Sequence, residues 1–286
     1  MKFGWIQEQA AQFKVSIMCD VLEVSRSGYY AWVNRLPSAR ERRREELIEQ
    51  IRQANEQSFG TYGSPRIQAE LAGREIEVCV NTVAKLMKEA GIRSVMHRRF
   101  VVQTTDSNHD HPVAPNILER EFHAERPNEK WLSDITYIPT DEGFLYLAGV
   151  MDLCSRKIVG WSMADHLRTE LCLDALNMAL QSRQPGADLL HHSDRGVQYA
   201  SVDYQLLLQS RNICVSMSRV GDCYDNATME SFWGTLKTEL VHQRKYRTRE
   251  EARQSIFKYI ECWYNRKRRH SALGYKSPEQ FEASLN

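Results

Sequence analysis

Apolar positions in the N-terminal third of the chain recur at helical spacing and predict a small all-α region. Three helices are expected, over residues 45–57, 64–71 and 81–91. Ser64 and Asn81 are the predicted N-caps of the second and third helices. The apolar face of the first helix is formed by Leu47, Ile48, Ile51 and Ala54. A longer helix followed by two short ones is typical of a helix-turn-helix module.

The third of these helices carries side chains suited to DNA on its polar face. These residues are Thr82, Lys85 and Lys88. They predict that the 64–91 pair contacts DNA. A second candidate pair lies upstream, with helices over 15–22 and 29–34 around a turn at 24–28. Helical domains that bind no DNA show the same pattern, so that alternative stays open for both pairs.

The hydrophobic period changes after a polar, proline-containing stretch at 104–116, which predicts a linker. Alternating or continuous apolar runs then predict strands and helices in a fixed order. The order is strands 131–139, 144–153 and 157–163, helix 169–182, strand 189–192, helix 199–210, strand 213–217 and helix 225–241. We therefore expect an α/β domain, a mixed sheet flanked by helices. This order suits the ribonuclease-H-like fold, and other α/β domains would also fit it.

Length and composition narrow the protein class. At about 100–200 residues per domain, 286 residues indicate two domains. No apolar run approaches the roughly 20 residues that span a bilayer, so membrane insertion is not expected. Seven scattered cysteines without Cys-x-x-Cys spacing exclude a disulfide framework and a zinc site and favour a reducing cytoplasm.

Five segments follow from these patterns. They are an N-terminal helical segment (1–40) that is a possible helix-turn-helix, a helix-turn-helix domain expected to bind DNA (41–103), a linker (104–122), an α/β domain whose order suits the ribonuclease-H-like fold (123–241) and a basic helical extension (242–286).

The formal net charge of +1 conceals a basic C-terminal stretch. Between His242 and Lys276 there are eleven Lys/Arg residues and three acids, a local charge of +8. Such a stretch on a nearly neutral protein indicates a polyanionic partner. Phosphate contacts are expected from Arg266, Lys267, Arg268 and Arg269. A solvated basic helix face is the alternative.

Three acids occupy positions where carboxylates could take part in catalysis. Asp134 lies within the first predicted strand, where an unpaired carboxylate is costly. Asp194 follows a short buried strand, and Glu230 lies on the last predicted helix, sharing a flank with Gly234 and Lys237. Carboxylates from a strand, a strand end and a facing helix can hold two magnesium ions about 3.5–4 Å apart for in-line attack on phosphate.

Each acid also has an ordinary structural explanation. Asp134 could pair with Arg156, Asp194 could form an Asx-turn, and Glu230 could be a first-turn acid. Spacing alone does not choose between these three and the rival acids Asp152, Asp222 and Asp225. His109, Asp110 and His111 form a weaker candidate metal cluster. Core or strand-edge roles are expected for His191 and His192, with a place in the site lining as the alternative for one of them, and Trp233 is expected in the core or at its rim.

Three motifs make the chain recognisable. They are W-L-S-D-I-T-Y-I around Asp134, H-S-D-R-G-V-Q-Y around Asp194 and G-D-C-Y-D-N-A-T-M-E-S-F-W-G-T-L-K around Glu230. They resemble the D-D-E transposases of bacterial insertion sequences, with thirty-five residues between Asp194 and Glu230 as in the retroviral-integrase-like branch. The second-reading-frame (OrfB) product of the insertion-sequence-three family is the nearest match. It also accounts for S-F-G-T-Y-G-S-P-R-I and the tail Y-N-R-K-R-R-H-S-A-L-G-Y-K-S-P-E-Q-F, so the likeness runs from about Val15 to Phe281.

The resemblance implies a transposase that cleaves DNA at the ends of an insertion sequence and transfers the strand. It implies that Asp134, Asp194 and Glu230 bind two Mg²⁺ or Mn²⁺ ions and that Lys237 contacts DNA beside them. It further implies a bacterial, nucleoid-associated protein that acts with an upstream-frame (OrfA) product, as a homo-oligomer on terminal-repeat and target DNA. A DNA-binding regulator without catalysis and a nuclease of the ribonuclease H type remain the competing functions.

Overall fold

The computed structural model describes residues 1–95, 113–219 and 223–285. Within these ranges the chain forms two compact units, Met1–Gln53 and Ala54–Asn286. The predicted linker falls largely outside the described residues. The candidate cluster at 109–111 and the rival acid Asp222 lie outside them entirely.

The first unit is built from short helices around a small core. Its elements are α1 (Lys2–Gln9), α2 (Val15–Val21), α3 (Arg26–Val33) and most of α4 (Ala39–Gln57). The core residues are Ile6, Met18, Cys19 and Tyr29. Ser25 caps α3 by accepting a hydrogen bond from the Gly28 N–H at 3.3 Å. The α2–α3 pair was expected, whereas α1 was missed because it buries only Ile6 and shows no apolar face.

The second unit begins with the last turn of α4 and continues into the predicted helix-turn-helix pair, α5 (Ser64–Ala72) and α6 (Val80–Glu89). Both caps were predicted wrongly. Gly63 and Cys79 are the capping residues, and neither makes a side-chain cap bond. Ser64 and Asn81 are already helical, because the extended backbone ends one or two residues earlier than the polar side chains suggested. The buried residues of the two helices are Ile67, Leu71, Val83, Leu86 and Met87.

A five-stranded sheet forms the centre of the second unit. Its strands are β1 (Lys130–Thr140), β2 (Gly143–Asp152), β3 (Ile158–Ala164), β4 (Leu190–Ser193) and β5 (Cys214–Met217). The spatial order is β3-β2-β1-β4-β5. The first three strands form an antiparallel meander, and β4 and β5 are added in parallel. The predicted mixed sheet after a helical region is therefore confirmed.

Helices cover both faces of this sheet. On one face, α7 (Thr169–Arg183) packs on β2 and β3, with a core that includes Trp131, Val150 and Leu176. The helix predicted over 199–210 is two helices, α8 (Val197–Ala200) and α9 (Val202–Ser210). They divide at Ser201, whose hydroxyl accepts the Tyr204 N–H at 3.4 Å and so begins a new helix.

The final predicted helix is α10 (Ala227–Glu239), which follows a 3₁₀ turn at Cys223–Asn226. The basic tail beyond it is helical, as expected. It contains α11 (Arg249–Phe257), a π-helical segment (Lys258–Tyr264) and α12 (Pro278–Ala283). None of the helices in the described ranges combines the length and apolarity that a bilayer crossing requires.

Candidate active site

The strand register brings two of the three candidate acids side by side. The parallel pairing of β1 with β4 ends where Ser133 lies opposite Ser193. Asp134 and Asp194 are the next residues of these two chains. Adjacent strands lie about 4.8 Å apart, so the two carboxylates share the sheet edge at which β4 stops and β1 continues.

Asp134 is fixed by two hydrogen bonds from its own chain. Its Oδ1 accepts the Ile135 N–H at 2.8 Å, and its Oδ2 accepts the Trp233 indole N–H at 3.0 Å. Gly149 lies opposite Asp134 on β2, and a Cβ at that position would be 2.9 Å from the Trp233 ring. Glycine there leaves room for the indole of α10 to reach Asp134.

Trp233 is the site residue that sequence reasoning missed. The apolar stripe of the last helix indicated only a buried ring, and the ring is indeed buried. The available signal was its position three residues after Glu230, since residues three apart share a helix flank. A tryptophan on the flank of a functional acid can present its N–H to the same site.

Like charges meet at this edge. Burial, together with the charge of Asp194, raises the pKa of Asp134 to about 8, although the bonds from Ile135 and Trp233 act in the opposite direction. Glu230 makes a smaller contribution in the same direction. The Glu230 side chain is more exposed, and loss of hydration raises its own pKa. The charges of Asp194 and Glu230 therefore oppose the ionisation of Asp134.

The donor set suits a hard divalent cation, because it consists of carboxylate oxygens with unneutralised charge. A cation would relieve the repulsion that raises the pKa of Asp134. Among the residues that the structure describes, no three His, Cys, Asp or Glu side chains are close enough together to hold an ion. The convergence of all three acids on shared metals therefore stays a prediction, while the proximity of Asp134 and Asp194 is observed.

Lys237 lies on the same side of the molecule as these acids. Its side chain is buried, and its Nζ lies 5.0 Å from the centre of the Tyr137 ring. Burial lowers the pKa of Lys237, and the negative charge of Asp134 acts in the opposite direction. A cationic group thus lies two helical turns beyond Glu230, near enough to Asp134 to interact with it. DNA contact by Lys237 remains a prediction.

The rival acids in the described ranges have structural partners. Asp152 accepts the backbone N–H groups of Asn128 at 2.6 Å and Cys154 at 3.0 Å. Asp225 accepts Arg120 Nε at 3.0 Å and Asn116 Nδ2 at 2.8 Å. Burial tends to raise the pKa of Asp225, but these bonds and the backbone N–H of Arg219 lower it overall. Both acids hold turns in place.

The structure supports the ordinary structural explanation for Asp194 but not for Asp134. Asp194 does form an Asx-turn, since its Oδ1 accepts the Gly196 N–H at 2.9 Å. That bond leaves Asp194 beside Asp134, so the turn and a metal role are compatible. Asp134 bonds to Ile135 and Trp233 and not to Arg156.

The two histidines before Asp194 lie in the core, in agreement with the expectation. His191 Nε2 is 2.8 Å from Ser133 Oγ and 3.1 Å from the Tyr204 hydroxyl. His192 bonds through Nδ1 to Ser216 Oγ at 2.8 Å. Burial lowers the pKa of His191 to about 3 and that of His192 to about 4, so both are neutral near pH 7. They brace the strands that present the acids.

The predicted DNA-contact residues fall into two groups. Exposed side chains are found at Thr82, Lys85, Lys88, Arg266 and Lys267. Arg268 and Arg269 are engaged inside the protein instead. Arg268 is 4% exposed and bonds to Glu239, and Arg269 bonds to Glu70. The expectation of phosphate contact for these two arginines is corrected, because their guanidinium groups already have carboxylate partners.

Family models match three stretches of the chain. Residues 124–223 match a model described as "Integrase core domain", and residues 211–278 match a second model with the same description. Residues 42–100 match an "HTH-like domain". The sheet, α10 and the tail thus correspond to the integrase core, and α4 to α6 to the helix-turn-helix region.

Several curated proteins are similar over nearly the whole chain. The "Insertion element IS600 uncharacterized 31 kDa protein" of Shigella sonnei is 48% identical over 264 residues, which is 92% of this chain and 97% of that protein. The "Transposase InsF for insertion sequence IS3A" of Escherichia coli (strain K12) is 44% identical over 284 residues, 99% of this chain and 98% of that protein.

Solved structures of viral integrases are more distant. A simian T-cell lymphotropic virus intasome in complex with the PP2A regulatory subunit B56 gamma has a TM-score of 0.48 and 16% identity, covering 75% of this chain and 70% of that chain. The HTLV-2 integrase catalytic core domain in complex with magnesium has a TM-score of 0.44 and 16% identity, covering 56% of this chain and 99% of that chain.

Proposed function

The chain belongs to the transposase family of the IS3 insertion sequences, with its integrase core and helix-turn-helix region, and from that premise we propose that it catalyses metal-dependent cleavage and strand transfer of DNA at insertion-sequence ends. The reaction is a phosphodiester transesterification. A strand is cut at the element end, and the freed 3′-hydroxyl attacks a second phosphodiester. Asp134, Asp194 and Glu230 are assigned as the catalytic and metal-binding acids.

The observation that carries this proposal is the meeting of two carboxylates at the sheet edge. A neighbouring like charge makes a carboxylate harder to ionise, and the charge of Asp194 raises the pKa of Asp134 in this way. Acids with purely structural roles in this chain, such as Asp152 and Asp225, accept several hydrogen bonds each. The contrast favours a site that is completed by bound cations.

Asp134, Asp194 and Glu230 would hold two Mg²⁺ or Mn²⁺ ions. Such ions, when bound, supply Lewis acidity to the phosphate and make a water or sugar hydroxyl more acidic. The protein's own contribution is orientation. The Trp233 N–H holds one oxygen of Asp134 in place, and the opposing Gly149 gives the indole room to do so. The Lys237 ammonium positions the phosphate that is cut.

DNA is held by residues that precede the catalytic core in the sequence and by residues that follow it. Thr82, Lys85 and Lys88 on α6 meet the duplex, with phosphate contact from the lysines as the main component, and Arg266 and Lys267 add diffuse attraction. We assign the functional domains as 41–103 for DNA binding and 123–241 for catalysis. The partners are terminal-repeat and target DNA, the upstream-frame product and further copies of this chain, in the bacterial cytoplasm at the nucleoid.

The test is a strand-transfer assay on DNA that carries the element ends, with and without the upstream-frame product. The full chain should cut and join only when Mg²⁺ or Mn²⁺ is present, and Asp134→Asn should remove both activities while DNA binding is largely kept. If Asp134→Asn cleaves like the parent, the site assignment is wrong. Binding without metal-dependent cleavage by the parent would favour a regulatory protein without catalysis.

A further inference from the structure

The last residue of α10 is an acid that is almost fully enclosed. The Glu239 side chain is 7% exposed. Arg268 donates three hydrogen bonds to it, from Nη2 to Oε1 at 2.7 Å and from Nε to Oε2 at 2.9 Å and to Oε1 at 3.1 Å. The Tyr259 hydroxyl donates a fourth at 2.8 Å to Oε2. Every oxygen of this carboxylate is therefore engaged, in the two-pronged geometry that fixes direction as well as distance.

The same carboxylate also reaches the helix-turn-helix pair. Arg66 of α5 lies 4.0 Å from Glu239 Oε1, and its guanidinium lies over the Tyr62 ring at 5.8 Å. Tyr62, just before α5, is buried and packs on Trp263 of the tail, with ring centres 5.7 Å apart. The start of α5 and the end of α10 thus meet around one stretch of tail.

The neighbouring arginine strengthens this junction. The Arg269 N–H donates to the Tyr62 hydroxyl at 2.7 Å, and its Nε donates to Glu70 Oε2 on α5 at 2.7 Å. Gly73 at the end of α5 lies close enough that an added Cβ would be 2.9 Å from Arg269 Nη2. We call Arg268 and Arg269, together with Tyr62, Glu70 and Glu239, the tail bracket.

We infer that Arg268 is a positioning residue, which acts through Glu239 to hold the helix-turn-helix pair in one orientation relative to α10. Glu230 and Lys237 lie on α10 nine and two residues before Glu239. The tail bracket would therefore fix the position of a duplex bound on α6 relative to the three acids. This last consequence rests on the proposed function, whereas the orientation of the two helical elements does not.

The chemistry of the tail bracket favours positioning over stability alone. A buried ion pair can often be replaced by apolar residues without loss of stability, so its presence is weak evidence of a stabilising role. Apolar contacts at this junction, such as Phe59 on Trp263 at 5.3 Å, already supply packing. What the forked Arg268–Glu239 pair adds is one defined angle between the tail and the end of α10.

The first experiment measures orientation without DNA or metal. Fluorophores are attached to the full chain through unnatural amino acids at the exposed positions Ala84 on α6 and Asn177 on α7, and the distance distribution is recorded by energy transfer. The parent should give one narrow distribution, and Arg268→Gln a broadened or shifted one. Arg268→Lys keeps the charge but loses the fork, so it should broaden less, and it carries the test if the glutamine variant does not fold.

A matched control is available in the same tail. Arg183→Gln removes the ion pair of α7 with Glu282 on α12, whose side chains are 16% and 15% exposed. That pair does not involve α5 or α10, so the distance distribution should match the parent's even if the melting temperature falls. If Arg268→Gln folds and keeps the parent's distribution, the inference is overturned, whatever the parent does to DNA.

A second experiment reads the functional consequence as a ratio. For each variant, the rate of cleavage at the element end is divided by the rate of metal-dependent nicking of DNA that lacks the end sequence. Loss of folded protein lowers both rates equally, so only lost positioning changes the ratio. Misplacement by about 1 Å can cost on the order of 100-fold in rate, and we expect the ratio to fall at least about tenfold in Arg268→Gln but not in Arg183→Gln. An unchanged ratio in a cleaving Arg268→Gln variant contradicts the inference, whereas a parent that cleaves neither DNA contradicts the proposed function instead.

Discussion

Asp134 and Glu239 are both carboxylates largely shielded from water, yet only Glu239 is hydrogen-bonded to a cationic side chain. Arg268 and Tyr259 satisfy Glu239 with four hydrogen bonds. Asp134 accepts two, neither of them from a cation, and the charge of Asp194 raises its pKa. The acid at the end of α10 is thus enclosed by donors of its own chain, whereas Asp134 lies beside a second carboxylate. The difference separates a carboxylate that holds the structure from one that a bound cation would stabilise.

The cationic residues Arg268 and Lys237 show the same distinction. Burial alone would lower the pKa of Arg268, but the hydrogen bonds and charge of Glu239 raise it overall. Lys237 is also buried, and burial lowers its pKa with only partial opposition from Asp134. Arg268 is therefore held as part of the structure, while Lys237 lies near Asp134 with a lowered pKa.

The largest effect expected from this comparison is on folding stability. Arg268→Gln leaves Glu239 buried without its partner and should lower the free energy of unfolding by about 3–5 kcal/mol. Asp134→Asn removes a like-charge repulsion and keeps an acceptor for Trp233, so it should cost at most about 1 kcal/mol or stabilise the fold. Urea denaturation of both variants in metal-free buffer measures the difference. Equal losses would remove the distinction between the two acids.

Lys237→Ala tests the second half of the comparison. Strand transfer should fall on the order of 100-fold, because the reacting phosphate loses its positioning contact, while DNA affinity changes only a few-fold. Lys157→Ala is the control, since that lysine pairs with Glu282 on α12. Single-turnover rates and binding isotherms are compared for each variant. A proportional loss of rate and affinity would make Lys237 an ordinary phosphate anchor.

Trp233→Phe keeps the buried ring and removes only the N–H that bonds to Asp134. Partners that orient a metal ligand are typically worth 10–100-fold in metal affinity, and we expect a loss in that range for Mn²⁺ by calorimetry. Trp161→Phe is the matched control, because its N–H donates to Glu261 at 2.7 Å on the tail. Similar Mn²⁺ affinities in the two variants would show that Trp233 is only a core residue.

The smallest effect concerns the two tail cations that remain exposed. Arg266→Gln combined with Lys267→Gln should flatten the slope of log affinity against log salt by up to about 2, at roughly 0.9 per phosphate contact. The folded structure should be unaffected, in contrast to Arg268→Gln. A slope equal to that of the parent would exclude these residues from DNA binding.

The sequence predicted the parts of this molecule that depend on local pattern. Apolar alternation located β1 and the strand before Asp194, and the parallel pairing of those strands then follows from the fold, so the meeting of Asp134 with Asp194 was foreseeable. The cap of α6 at Cys79 was not, because Asn81 has the better capping side chain and the backbone turns helical before reaching it.

Residues whose role depends on a distant partner were harder to predict. Charge alone marked Arg268 and Arg269 as DNA contacts, since nothing in the local pattern indicates that Glu239 and Glu70 meet them in the fold. Trp233 was placed correctly in the core, but periodicity reports where a ring lies and not where its N–H points. Pairing across elements is what the three-dimensional structure adds.

The most direct test of the central claim is a Mg²⁺ titration of folding stability on the full chain without DNA. Binding to the folded state alone stabilises it by about 2.7 kcal/mol at 100 times the dissociation constant. The account predicts that Mg²⁺ raises the stability of the parent and of Glu239→Gln measured against its own metal-free baseline, and that Asp134→Asn and Asp194→Asn lose this gain. If Asp134→Asn gains as much stability from Mg²⁺ as the parent does, Asp134 and Asp194 are not the cation site and the account is contradicted.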